Sequence, residues 1–276
     1  MRHENTSTIM LIAFTGWNDA GESASHLISH LLDESESTVI AEFEPEDFYD
    51  FQVNRPAIKL DDNGAREIIW PTTKVFRATL TGSSKEFLLV LGAEPSMRWK
   101  SFSSELLDIA DDYEVDLLVM FGGLLADVPH SRPITVSATA TDPALAKELG
   151  VEPSQYEGIT GILGVIGDEA RRREMKALSL WAAVPHYVST TPSPKATLAL
   201  IEALEEQLGF SLPQGNLAER AALWESSVDR MAAEDSEVGD YVRELERNKD
   251  DDELREATGD SIAKEVERFL RRQDNS

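Results

Sequence analysis

Apolar residues follow two patterns along this chain. Short dense runs, apolar enough to be buried on both sides, predict strands near Ile9–Phe14, Thr38–Phe43, Arg66–Trp70, Val75–Leu80, Phe87–Leu91, Val115–Phe121, Ile134–Thr139 and Ala177–Val184. Between several of them the apolar positions recur at helical spacing. Glu22–Leu32 sets Leu27, Leu31 and Leu32 near one face, and Phe102–Ala110 sets Phe102, Leu106 and Ile109. Pro143–Leu149 is short and opens on a proline; Lys195–Leu208 carries Leu198, Ile201, Leu204 and Leu208. Strands alternating with helices predict an α/β fold with a mixed, mostly parallel sheet flanked by helices. Thr81-Gly82-Ser83-Ser84 reads as a hairpin turn, so part of the sheet is expected to be antiparallel. Glu44–Asn63 is polar and reads as irregular chain around a weak strand near Ala57–Leu60.

The pattern changes after residue 212. Leu217, Ala221, Trp224, Val228 and Met231 recur at alternating spacings of four and three, a helical stripe, and the β-type runs stop. The stripe continues through Val238, Val242 and Leu245, with a break expected at Gly239, and a last stripe holds Leu254, Ile262, Val266, Phe269 and Leu270. From Pro213 to Ser276 there are 18 acidic and 10 basic residues, so 28 of 64 are charged against 28% for the whole chain. Two units are therefore expected: an α/β core over 1–212 and an acidic helical subdomain over 213–276. The latter either packs on its own core or docks a partner.

In an open α/β sheet the loops after parallel strands meet in one crevice. Two polar, glycine-bearing phrases follow apolar runs here: Gly16-Trp17-Asn18-Asp19-Ala20-Gly21 and, after Gly122-Gly123, Pro129-His130-Ser131-Arg132-Pro133. In the first, Asn18 or Asp19 either caps the next helix or faces a ligand, and Trp17 either stacks on a flat ligand or covers the sheet edge. Gly92 to Trp99 brings Glu94 and Arg98 to the same rim, where they are placed to pair. His130 and Arg132 sit between two prolines that fix their direction, which suits an anion or proton transfer as well as a solvated loop. His186, in Pro185-His186-Tyr187, is placed near the same crevice. Gly158, Gly161, Gly164 and Gly167 recur every third residue, with a helix starting near Thr160, and mark a close approach of backbone or ligand. The candidate site is thus Trp17, Asn18, Asp19, Gly92, Glu94, Arg98, Gly122, Gly123, His130, Arg132, Gly161 and His186. Asp19 and Arg132 are expected as exposed residues of one rim.

Length and charge narrow the function classes. A chain of 276 residues buries about three quarters of its unfolded surface and needs no staple. It has no cysteine, which removes thiol chemistry and disulfides and fits a cytoplasmic protein. The opening apolar run is too short for a signal peptide, and no run is long enough to span a bilayer. The net charge of −25 opposes nucleic-acid and anionic-membrane binding. His26 and His30 are four apart on a predicted helix, but Leu27 stands where a zinc protease carries glutamate and no third ligand is evident, so no metal and no cofactor are expected.

Taken together, Gly16–Gly21, Asn54-Arg55-Pro56, Gly92-Ala93-Glu94-Pro95 with Trp99 and Phe102, Gly122–Asp127, Pro129–Pro133, Tyr156 with Gly158-Ile159-Thr160-Gly161, and Leu180–Tyr187 resemble the bacterial branch of the proteasome assembly chaperone 2 family. The resemblance implies a core similar to nucleoside phosphorylases and related hydrolases and a homo-oligomer, the trimer favoured. It carries no catalytic residues. Two functions follow as expectations. One is a non-enzymatic protein that works through contacts with a protein partner, as a chaperone or scaffold. The other is a nucleoside hydrolase- or phosphorylase-like enzyme, or small-molecule binder, using the crevice at the strand ends.

Overall fold

A computed structural model describes residues 7–61, 63–81, 83–188 and 192–256, the last five as backbone only. In chain order it runs through β1 (Thr8–Thr15), α1 (Ser23–Asp33), β2 (Ser35–Glu42), α2 (Pro45–Phe48), β3 (Ala57–Leu60), β4 (Arg66–Ile69), β5 (Thr73–Leu80), β6 (Glu86–Ala93) and α3 (Trp99–Asp112). It continues with β7 (Leu117–Ala126), β8 (Val136–Ala140), α4 (Pro143–Leu149), β9 (Glu152–Pro153), α5 (Ile162–Arg172), β10 (Ala177–Pro185), α6 (Pro194–Leu208), α7 (Leu217–Glu234) and α8 (Ser236–Glu256).

Eight strands form one sheet in the order β2-β5-β6-β1-β7-β10-β8-β9. The four central strands β6, β1, β7 and β10 are mutually parallel. The expected hairpin joins β5 to β6 as an antiparallel pair, although Gly82 itself lies outside the described residues. β2 adds antiparallel to β5, and β8 antiparallel to β10. The sheet is therefore mixed and mostly parallel at its centre. The run at Arg66–Trp70 does not join it: β4 pairs only with β3, as a separate two-stranded arm.

Strand β1 explains the layering. Ile9, Leu11 and Ala13 face α1 and α6, while Met10, Ile12 and Phe14 face α3 and α5. Alternate side chains of one strand thus feed two cores, which is why the run reads as continuously apolar. Local chemistry sets the helix ends. Asp142 accepts the amides of Ala144 and Leu145 at 2.9 Å each, with Pro143 at the first helical position of α4. Ser193 and Pro194 open α6 in the same way, and Gly209 closes it at φ 70°.

Beyond α6 all described residues are helical or irregular. The break expected at Gly239 is displaced. α8 runs through Gly239, and the chain turns instead at Asp235, which is extended at φ −116° and ψ 110°. Its Oδ1 accepts the amides of Glu237 at 2.9 Å and Val238 at 3.3 Å, so Asp235 caps α8. Gly239 serves contact instead: a Cβ there would lie 2.7 Å from the Ala232 carbonyl oxygen. Of the last apolar stripe, Leu254 falls among the residues described as backbone only, and Ile262, Val266, Phe269 and Leu270 lie outside the described residues.

Candidate functional site

The four parallel strands end at Thr15, Ala93, Ala126 and Pro185, on one edge of the sheet, so the loops that follow them come together. The Asn18 carbonyl accepts the Gly123 amide at 2.8 Å, which joins the first loop to β7. Gly123 is required by that approach, since a Cβ would lie 2.7 Å from the Ala20 carbonyl oxygen.

One half of the crevice closes around Glu94. Its Oε1 accepts the Asn18 side-chain amide at 2.8 Å and the backbone amide of Ile162 at 2.9 Å. Ile162 is the first residue of α5, so a carboxylate of the chain itself occupies the positive end of that helix. Gly161 leaves the room: a Cβ there would lie 2.5 Å from Asn18 Oδ1 and 2.7 Å from Glu94 Oε1. A helix start that attracts anions is thus filled from within.

Asp19 turns away from this cluster. It is not an exposed rim residue; only 6% of its surface is accessible. Its Oδ1 accepts the amides of Ala24 at 2.8 Å and Ser25 at 3.2 Å and so caps α1. Its Oδ2 is buried with no hydrogen-bond partner. Burial pushes its carboxyl pKa up, and the bonds from Ser25 and Ala24 oppose the shift. Arg98 does not pair with Glu94 either. It reaches Asp47 and lies 5.3 Å over the Phe48 ring, because the amides of Ser96 and Met97 bond the Phe48 carbonyl at 2.9 and 3.2 Å and hold this loop against α2. Gly92 packs against Thr73, and Gly122 against the Trp181 ring.

His130 and Arg132 belong to a second cluster, facing the C-terminal helices. His130 is 1% exposed. Its backbone amide donates to the Tyr187 hydroxyl at 2.8 Å, its Nδ1 lies 2.8 Å from the same oxygen, and its Nε2 lies 3.1 Å from Asp229. The arrangement fits a ring that donates from Nε2 to the carboxylate and accepts the Tyr187 proton at Nδ1. Burial, with Glu246, Tyr241 and Asp229 adding, lifts the Tyr187 pKa to about 12. Arg132 donates to both oxygens of Asp250 at 2.8 Å each. Lys195 bonds the His130 carbonyl at 2.6 Å and also Glu225. His186 is half-exposed, 3.2 Å from Asp127, with its ring 5.5 Å from that of Tyr241.

The expected residues therefore separate into two groups on one edge of the sheet. Asn18, Glu94, Gly123 and Gly161 meet, with Trp17 exposed beside Asn18 in the same loop; His130, Arg132 and His186 lie under the C-terminal helices. The composition of the loops did not point to Tyr187, Lys195, Asp229 or Asp250. The signal for the carboxylates is the spacing of four in Glu225/Asp229 and Glu246/Asp250, which puts each pair on one helix face. Around the closed half, Trp17 is 66% exposed, Ile159 83%, Tyr156 70% and Leu124 44%. The loops that carry them touch through Asn18, Gly123 and Gly161.

The PAC2 family model matches residues 13–232, most of the chain and all of the crevice loops. The chain belongs to the PAC2 family. Its fold is similar to that of a PAC2 family protein from Streptomyces avermitilis, at 47% identity and a TM-score of 0.78, covering 86% of this chain and 100% of that one. It is similar also to a proteasome-assembly chaperone homologue from Mycobacterium tuberculosis, at 41% identity and a TM-score of 0.76 over the same shares. An archaeal proteasome activator from Pyrococcus furiosus shares the PAC2 fold at 17% identity and a TM-score of 0.64, covering 84% of this chain and 96% of that one. No protein of curated function matches significantly. The PAC2 match ends in the last turn of α7, so α8 lies beyond it. Among the described residues no helix is long and apolar enough to cross a membrane, and no cluster of three or more His, Cys, Asp or Glu is placed to hold a metal.

Proposed function

We propose that this PAC2 protein acts in the cytosol, without catalysis, by holding protein partners at the carboxyl edge of its sheet. The observation that carries this reading is the exposed apolar set Trp17, Leu124, Tyr156 and Ile159 around a crevice plugged by Glu94. Large apolar side chains left exposed on neighbouring loops favour a macromolecular contact, and a plugged helix start leaves a phosphate little to gain. The partner class follows the relatives: a protein 41% identical is described as a proteasome-assembly chaperone homologue, so proteasome subunits are the partners to test. We further read the chain as a homo-oligomer, the trimer favoured. The arm of β3 and β4 supports this. Both strands are exposed along their whole length, with Ile58 at 64% and Leu60 at 68%, and an isolated hairpin is marginal in water. The core over 1–212 and the acidic helices after it are taken as two units, the first carrying the partner rim.

The test is a paired binding screen of the full chain. Purified proteasome subunits are expected to bind, while nucleosides, phosphate and sugar phosphates leave the melting temperature unchanged. A reproducible shift with a nucleoside or phosphate, and no subunit binding, would overturn the reading in favour of a nucleoside-handling enzyme.

A further inference from the structure

The two C-terminal helices are held differently. α7 buries an apolar stripe of Leu217, Ala221, Trp224, Val228 and Ala232 and lies within the family match. α8 lies beyond that match and is strongly acidic, with nine acidic and four basic residues over 236–256. Among the described residues it buries only the side chains of Val242 and Leu245, and apart from the Tyr241 hydroxyl on Asp127 at 3.2 Å its polar contacts with the core come from one short stretch. Glu246 accepts the Ser131 hydroxyl and stands 3.6 Å from Arg132. Asp250 takes the Arg132 guanidinium in two parallel bonds of 2.8 Å. Glu246 and Asp250 are one helical turn apart, as are Glu225 and Asp229, which reach Lys195 and His130. Like charges at that spacing disfavour an isolated helix. The core offsets this with donors at matching positions.

We propose that Ser131 and Arg132, beside the His130 and Lys195 contacts that α7 keeps, form a docking site for an acidic helix with carboxylates four residues apart, and that α8 fills it in cis until an acidic helix of a partner protein displaces it. Three observations support exchange. The Arg132 and Asp250 side chains are 33% and 48% exposed, and exposed ion pairs are individually weak and screened by salt. The bidentate geometry at Arg132 recognises a carboxylate with direction as well as charge. α8 joins α7 at the single residue Asp235 and, among the described residues, buries two apolar side chains, Val242 and Leu245, against five in α7, so α8 is the helix that can leave while α7 keeps its apolar seat. On a chain of net charge −25, a cationic site held by its own carboxylates is the feature suited to an acidic partner. The inference does not depend on the apolar rim at Trp17.

The test uses the full chain and a labelled synthetic peptide of residues 236–256. Glu246→Gln with Asp250→Asn removes the cis carboxylates and keeps the receptor. In this double variant, hydrogen exchange of residues 236–251 is expected to accelerate while α6 stays protected. Fluorescence anisotropy is expected to show the native peptide binding at least about tenfold tighter than to wild type, since the fraction of open sites sets the apparent affinity. The same peptide carrying Gln and Asn at the two positions, and the double variant with Arg132→Glu added, are expected to abolish binding. A thermal melt keeps loss of fold apart from loss of docking. Unchanged exchange over 236–251, or equal binding of the native and neutralised peptides, would overturn the proposal.

Discussion

Glu94 Oε1 stands 2.9 Å from the amide of Ile162, so a side chain from the end of β6 caps the helix that precedes β10. The same oxygen accepts the Asn18 side chain at 2.8 Å, which ties the loop after β1 into the contact. One carboxylate therefore joins three segments of the crevice.

Glu94→Ala should destabilise the chain by about 1–3 kcal/mol, because it leaves the Ile162 amide and the Asn18 amide without their charged acceptor. Glu94→Gln keeps an acceptor and should cost less. Urea denaturation read by far-UV circular dichroism checks both; equal midpoints for Glu94→Ala and wild type would show that the bonds contribute nothing.

Gly161→Ala should cost about 1–3 kcal/mol by overpacking, since the new methyl meets Asn18 and Glu94 where neither can retreat without breaking their bond. Pairing it with Asn18→Ala should recover part of the loss, a coupling measured by a double-mutant cycle.

Asp19 links stability to pH. Its folded-state pKa is raised by burial, so folding favours the protonated form. That contribution is present below the ordinary aspartate value and is lost as pH rises through the raised value. Asp19→Asn keeps a cap acceptor without the buried charge, so its stability relative to wild type should rise from acid to neutral pH. Asp19→Ala should lose about 1 kcal/mol as a cap. Urea midpoints collected between acid and neutral pH test the sign; a relative stability that falls with pH contradicts it.

Asp250 has the opposite shift. The hydrogen bond from Arg132 holds its carboxyl below the usual aspartate range. The stabilisation it supplies is present above that range and disappears as pH falls through the lowered value. Carboxyl-detected nuclear magnetic resonance should find Asp250 titrating low in wild type and back near an ordinary aspartate in Arg132→Ala.

Much of the fold is legible in local pattern. The runs at Ile9–Phe14, Phe87–Leu91 and Ala177–Val184 fall inside β1, β6 and β10 because a strand covered on both faces has to be continuously apolar. The convergence of the loops after them follows from parallel pairing. What was not legible depends on residues far apart in sequence. Arg98 chooses Asp47, 51 positions away, over Glu94 because Ser96 and Met97 tie its loop to Phe48 of α2 while Glu94 is engaged by Asn18 and Ile162. Arg132 meets Asp250 across 118 positions. Gly239 reads as a break by composition, yet it admits a close approach to α7 while Asp235, one residue before α8, makes the turn. The arm of β3 and β4 has ordinary strand composition; only topology separates it from the main sheet.

The arm should take part in self-association. Ile58→Lys with Leu60→Lys alters only exposed positions and should change stability by no more than about 0.5 kcal/mol. It should lower the mass measured by light scattering towards one subunit. A wild-type protein that scatters as a single subunit at micromolar concentration would contradict the oligomer.

The central claim is that the rim around Glu94 binds protein partners, and it is tested most directly by Trp17→Glu combined with Ile159→Glu in the full chain. Both side chains are exposed, so the fold should survive with little change in melting temperature. Affinity for proteasome subunits, measured by biolayer interferometry, should fall by about thirtyfold or more, the loss typical of aromatic anchors at an interface. An affinity unchanged from wild type, with the double variant folded, would contradict the account.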